Sequence, residues 1–328
     1  MPRGLRQLAA ETGLSTATVS RALNNSDKVT ERTRRKVHEA AERLGYSPNA
    51  AARALSTRRS RIIGAVIPTL EGSIFSRFIN AIEDSLAAHA YALIIATTNS
   101  DPAIERKRAL EMLRMGAEGL IVSGLQHEDE LIRYIKSRGI PTVATSIFAN
   151  RGSLPSIGYD NRALGQMAAE YLAGLGHRRI GLVHGPIADN DRTRLRIEGV
   201  KDIIEDALTV EVELTVSGGV AATATLLGGE NPPSAIICLS DVLALGVLFE
   251  APRLGASIPA DLSVMGFDDL DWAACANPPL TTIALPVDEM GRQSASAIVE
   301  HLEQQKPIRS KRLDGRIVER QSTQAIAR

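Results

Sequence analysis

The sequence predicts two parts: a small three-helix segment of helix-turn-helix type at residues 1–46 and, past a hinge at 47–61, an α/β body over 62–328 made of two doubly wound lobes. Three observations carry this expectation. Helical periodicities closed by glycines fill the first 46 residues. From residue 62 onward, short apolar runs alternate with amphipathic helical stretches. Charge divides at the same place: of 38 Lys+Arg and 38 Asp+Glu, residues 1–61 hold 13 bases and 5 acids, so the small part carries +8 and the body −8. A basic module on an acidic body suits a polyanionic partner, and a solvated basic face without a partner accounts for the charge equally well.

With 328 residues the chain can bury a sizeable core without a disulfide or metal staple. Cys238 lies in the apolar run 235–239 and Cys275 stands far from it, which fits a reducing, cytoplasmic setting. No apolar stretch reaches the roughly 18 residues a membrane span requires, and the first residues lack the apolar region of a secretory signal.

In the first helix Leu5, Leu8 and Ala9 share a face, and Gly13 ends it. Ser15 is a good N-cap for a second helix from Thr16 to about Asn24, with Val19 and Leu23 turned inward. Residues 24–27 are turn chemistry. Thr30 caps a third helix whose buried stripe is Val37, Ala40, Ala41 and Leu44, closed by Gly45. Two helices joined by a glycine turn with a third across them is a helix-turn-helix.

The outward side of the second helix offers only short or basic groups: Thr16, Ala17, Thr18, Ser20 and Arg21. Such a helix fits a major groove, where Arg21 can hydrogen-bond both guanine acceptors and the methyls of Ala17 and Thr16 can meet a thymine methyl. The Ser15 end presents N–H groups and a positive dipole to phosphate. Lys28, Arg32, Arg34, Arg35 and Lys36 supply sequence-independent attraction. An ordinary charged three-helix bundle lacks this combination of glycine turn, small-residue helix and basic flank.

Residues 46–61 read as a linker with one helical option. Ser47 and Pro48 suit N-cap and N1, and the alanines favour helix. Two turns are marginal in water, so the helix forms only when something holds it. Leu55 among arginines fits a wedge between base steps in a minor groove; on segment physics alone a plain flexible linker fits better.

In the body, strands are expected at 62–67, 91–97, 119–123, 141–145, 180–184, 234–239, 262–266, 281–285 and 316–319. Helices are expected at 74–89, 103–115, 161–175, 193–207, 241–254 and 287–305. Ligands of such folds bind beyond the carboxyl ends of the strands, and two lobes facing each other there form a cleft. Catalytic signatures are absent. The glycines at 174 and 176 lack a third and precede a strand, and the chain has no phosphate loop, no metal-binding histidine pair, no Cys-x-x-Cys and no nucleophile elbow. Asp268, Asp269 and Asp271 follow a strand, where acids cap the next element or hold a polar ligand more often than they serve acid–base or metal chemistry. No enzyme, cofactor or metal is expected.

Residues 8–24, followed by Val29-Thr30 and 44–49, resemble the DNA-binding headpiece of the lactose/galactose/purine repressor (LacI/GalR) family. The resemblance continues through Arg53-Ala54-Leu55 and residues 63–68, and in the body through 176–181, 194–199, 240–246, 266–269 and 278–283. It implies a homodimeric transcriptional regulator, most simply a repressor, with a periplasmic-binding-protein-like sensor domain. Its partners would be double-stranded operator DNA and a small-molecule effector, a sugar or related polar metabolite.

The family's DNA contacts carry over to Ser15, Thr16, Ala17, Thr18, Ser20, Arg21 and Asn24, and in the hinge to Arg53 and the intercalating Leu55. Its effector cleft carries over to Phe75, on the loop after the first strand, and to Ser123, Arg196, Asp241 and Asp268. Arg196 and Asp268 would bond polar groups of the effector and Phe75 its apolar face; for Asp241 the alternative to an effector contact is a purely local role as N-cap of helix 241–254. Three departures stand out: Gly4 replaces the usual capping Thr or Ser, no acid stands near Ser146, and aromatics make up only 3% of the chain. Phe75, Phe148, Tyr159, Phe267 and Trp272 are the stacking candidates, and residues 189–192 fall on the pocket loop.

Overall fold

The computed structural model describes residues 4–23, 28–46, 59–70 and 73–326. It divides into two compact units, Met1–Arg61 and Ile62–Arg328. Asn24, Arg53, Leu55 and the hinge segment 47–58 lie outside the described residues.

The small unit holds α1 (Leu5–Thr12), α2 (Thr16–Leu23) and α3 (Glu31–Leu44). Gly13 takes φ +66° and Gly45 φ +58°, the left-handed conformation that closes a helix without a Cβ penalty. Ser15 Oγ accepts from Thr18 N at 3.1 Å and caps α2, and Thr30 Oγ1 accepts from Thr33 N and caps α3. Gly4 heads α1 without a side-chain cap. Leu8, Ala9, Val19, Ala22, Val29, Val37, Ala40 and Ala41 form its core. Thr12 is buried as well, its hydroxyl donating to Leu8 O at 2.8 Å.

The body holds two six-stranded sheets. The first-lobe strands are β1 (Ile62–Ile67), β2 (Ala92–Thr97), β3 (Gly119–Ser123), β4 (Thr142–Thr145), β5 (Ser156–Gly158) and β11 (Lys311–Arg312), in spatial order β11-β5-β4-β3-β1-β2. Those of the second are β6 (Ile180–His184), β7 (Leu208–Glu211), β8 (Ala235–Cys238), β9 (Ser263–Asp268), β10 (Thr281–Ala284) and β12 (Arg316–Val318), in order β12-β10-β9-β8-β6-β7. All pairings are parallel except β10 with β12.

Helices α4 (Ser73–Ala87), α5 (Pro102–Arg114), α6 (Asp129–Arg138) and α11 (Val287–Gln304) belong to the first lobe; α7 (Asn161–Gly174), α8 (Asp191–Ile203), α9 (Val216–Leu227) and α10 (Asp241–Arg253) belong to the second. The chain changes lobe three times: after β5, after β10 and between β11 and β12. One apolar core, including Ile63, Phe78, Ile121, Ile180, Ile237, Phe267 and Ile298, runs through both lobes.

Every strand expected from the sequence is present to within two residues at either end. Helices α6 and α9 and strands β5, β7 and β11 lie outside the expected set. Among the described residues no helix is long and apolar enough to cross a membrane.

Candidate functional site

The switch points of the two sheets are β1, flanked by β2 and β3, and β6, flanked by β7 and β8. The carboxyl ends of the strands beside them bring polar side chains together, as such folds do. Arg196 is delivered there by α8, which lies close against α7. A Cβ at Gly199 would stand 2.0 Å from Arg162 O, and one at Gly165 2.2 Å from Arg196 O. Only hydrogen at these two positions permits that approach.

The Arg196 guanidinium is buried. Its Nε donates to Asn161 Oδ1 at 2.9 Å and its Nη1 to Leu239 O at 3.3 Å. It lies 4.9 Å from the centre of the Phe267 ring and 5.9 Å from that of Tyr159, within cation–π reach of both. Asn161, also buried, donates through Nδ2 to Ser146 O at 2.9 Å and so ties the first turn of α7 to the end of β4.

Asp268 ends β9 at φ +119°, a conformation that side-chain-bearing residues seldom adopt and that functional sites retain. Ser240 Oγ donates to its Oδ2 at 3.0 Å. Burial pushes the carboxyl up to about 6, against the opposing pull of the Arg196 charge and the Ser240 hydrogen bond. Arg196 and Asp268 are thus both buried, and each lies within electrostatic reach of the other.

Asp241 departs from its N-cap reading. Ser240, through its bond from Val242 N, is the N-cap of α10. Asp241 is fully buried, with Oδ2 accepting from Leu270 N at 2.8 Å and Oδ1 from Thr282 Oγ1 at 2.7 Å. Its carboxylate holds the 268–270 turn against β10, and burial followed by the Asp268 charge pushes its pKa well up. Of the other two acids, Asp269 accepts from Arg320 Nη2 at 2.7 Å, and neither it nor Asp271 caps the short 3-10 turn Asp271–Ala274.

Phe75 lies in the first turn of α4 rather than on a loop, half-buried against the shared core. Ser123 ends β3 and lines a polar crevice with Thr98, Glu105 and Gln126 of the first lobe and Asp189 and Arg192 of the second. Within that crevice Glu105 Oε1 meets the buried His127 Nδ1 at 2.6 Å. Burial lowers the Arg192 guanidinium, and neighbouring Asp191 opposes the shift. Among the stacking candidates, Tyr159 and Phe267 reach Arg196, while Trp272 packs into a separate apolar cluster of the second lobe.

Asn161 and the Glu105–His127 pair are invisible in the sequence, because a polar residue that is buried through a distant partner leaves no periodic trace. Among the described residues no group of three or more His, Cys, Asp or Glu is placed to hold a metal ion.

On the small unit, Ser15, Thr16, Ala17 and Arg21 are exposed and Thr18 and Ser20 half-buried, while Val19 and Ala22 on the opposite face enter the core. Arg32, Arg35 and Lys36 of α3 are exposed, and Arg34 pairs with Glu31 at 2.6 Å.

Residues 5–49 match the family model described as bacterial regulatory proteins, lacI family, and residues 169–323 match that of a periplasmic binding protein-like domain. The chain is 35% identical over 319 residues to the HTH-type transcriptional regulator MalR of Streptomyces coelicolor, covering 92% of this chain and 91% of that protein. It superposes on the lac repressor dimer bound to operator and the anti-inducer ONPF with a TM-score of 0.89 and 25% identity, covering 99% of this chain and all of that one. It also superposes on the transcriptional regulator CelR in complex with cellobiose, with a TM-score of 0.69 and 27% identity over 97% of this chain and 99% of that one. The chain belongs to the LacI family: it is a DNA-binding transcriptional regulator with an effector-binding domain, and not an enzyme.

Proposed function

We propose that this regulator is a homodimeric repressor that occupies a two-fold operator and responds to a sugar or sugar-like metabolite bound between the lobes of its body. The observation that carries the reading is the burial of Arg196 and Asp268, a donor and an acceptor set among Asn161, Tyr159 and Phe267 at the carboxyl ends of the strands. Ligand pockets of this type are apolar walls with a few fixed polar groups that choose the orientation. The CelR relative is in complex with cellobiose and the lac repressor is bound to operator, and both cover nearly all of this chain.

In this reading Arg196 and Asp268 bond effector hydroxyls, Phe75 covers an apolar face, and Ser123 lies at the outer end of the cleft. Asp241 supports the site from beneath. At the DNA, Thr16, Ala17 and Arg21 read base edges; Ser15, Thr18 and Ser20 approach the phosphates; and Asn24, Arg53 and the wedge Leu55 complete the contact. Exposed apolar groups support a second copy as partner. Ile95, on the edge strand β2 of the first sheet, shares an open hollow with the exposed Leu70 and Met115, and the second lobe exposes Phe249 and Leu254. Such unpaired edges and patches favour association.

Footprinting of full-length protein on its own genome tests the DNA reading, and a thermal-shift screen of sugars, polyols, nucleobases and organic acids tests the effector. A protected palindrome, a binding constant that falls steeply with salt, and a sugar that raises Tm are expected. No protected sequence with or without metabolite extract, or a screen that responds only to non-sugar ligands, refutes the corresponding half.

A further inference from the structure

Among the described residues, two hydrogen bonds away from the chain crossings join the lobes. Arg77 of α4 donates to Asp269 O at 3.3 Å, and Asp191, the first residue of α8, accepts the Leu125 backbone N–H at 2.7 Å. We propose that Asp191 is a positioning residue that clasps the lobes shut and sets how readily the effector cleft opens. The proposal rests on the reading of that cleft as the effector site.

Three features converge on Asp191. Its carboxylate is buried between the lobes, with Oδ2 on Leu125 N and Oδ1 3.3 Å from Arg192 Nη1. The turn that receives it is built by Gly124 at φ +78°, where a Cβ would stand 2.8 Å from Asp191 Oδ1 and 2.2 Å from Arg192 Nη1. The third feature concerns access. Arg196, Asp268 and Asn161 are each less than a tenth exposed, so a ligand reaches them only when the lobes part. Parting breaks the Asp191–Leu125 bond. Loss of Asp191 also removes the carboxylate beside Arg192, leaving that buried cation one turn from Arg196 with less compensation.

Hydroxyl-radical footprinting of the full-length protein without added ligand reads the closure directly. Tyr159 and Phe267 are buried in the cleft, while Tyr91 and Met112 are buried in the first lobe away from it. In Asp191→Ala, oxidation of Tyr159 and Phe267 should rise by about tenfold, the scale of losing one charge-assisted hydrogen bond, with Tyr91 and Met112 unchanged. Asp191→Asn keeps an acceptor for Leu125 N but loses the charge beside Arg192, and its oxidation of Tyr159 and Phe267 should rise clearly less than in Asp191→Ala.

Oxidation that rises equally at Tyr91 and Met112, that stays at the wild-type level throughout, or that is the same in Asn and Ala overturns the clasp. If Asp191→Ala does not fold, Gly124→Ala approaches from the opposite lobe: it should open the same two aromatics, and protected aromatics in that variant refute the proposal. No ligand enters the assay, so its failure leaves the effector reading standing, and an empty ligand screen would leave the clasp standing.

Discussion

Replacing Asp268 by Asn should stabilise the body while weakening its response to effector. Burial holds the Asp268 carboxyl at about 6, against an ordinary value of 3.8, even with Arg196 and Ser240 favouring its ionised form. Two units correspond to about 3 kcal/mol at roughly 1.4 kcal/mol per unit. The folded carboxyl binds its proton more tightly than the unfolded one, so this contribution to stability is present below pH 3.8 and is lost as pH rises through about 6. Asn stays neutral at every pH, keeps the side-chain shape and retains an acceptor for Ser240 Oγ. Its gain should reach about 3 kcal/mol at pH 7.5, or about 6 °C in Tm for a unit of this size, and disappear toward pH 4. Removing the charge also relieves Asp241, whose pKa it helps to raise, so the two effects have the same sign. Thermal unfolding of both proteins across this pH range is the assay. An Asn variant that melts at or below the wild type at pH 7.5, or one with the same advantage at pH 4, would refute the reasoning and mean that Arg196 fully offsets the burial of the charge.

Other substitutions test other parts of the framework. Asp241→Ala strips the Leu270 N–H and the Thr282 hydroxyl of their acceptor and should cost about 2–4 kcal/mol in urea unfolding; a cost below about 1 kcal/mol would mean the turn finds other partners. Gly199→Ala drives a methyl into the Arg162 carbonyl and should destabilise by about 1–3 kcal/mol in calorimetry, with weaker effector binding because Arg196 moves with α8. Arg21→Ala should relax base preference at one position per half-site by about 1–3 kcal/mol in competition binding, whereas uniform weakening across sequences would place Arg21 on phosphate. Affinity should also fall linearly with log salt, with a slope near −0.9 per phosphate contact; a flat response counts against DNA as partner.

The strands of the body were legible because each is a short apolar run bounded by turn residues. Ile180–His184 and Ile62–Ile67 sit where the sequence places them. Val216–Leu227 was not, since its Gly218-Gly219 pair and alanines carry no apolar stripe and it is held by packing against α10. Asp129–Arg138 is a different case. Its buried Leu131, Ile132 and Ile135, acidic first turn, basic last turn and Gly139 cap are all ordinary helix signals, so this helix is legible in the sequence although it lies outside the expected set. In the cleft, the motifs point to Arg196 and Asp268, but their relation to Asn161, Ser240 and Tyr159 depends on contacts spanning 28 to 37 residues of chain, which no local pattern encodes.

The three passages of the chain between the lobes bear on how the body can assemble. The first lobe needs α11, which lies against α4, and β11, which extends its sheet, yet both are made after most of the second lobe. During synthesis the early half of the body must wait, with the α4 surface uncovered, until residues past 300 have left the ribosome. A chain cut after β10 would strand that surface permanently, so neither lobe is a module that evolution or an engineer can lift out whole.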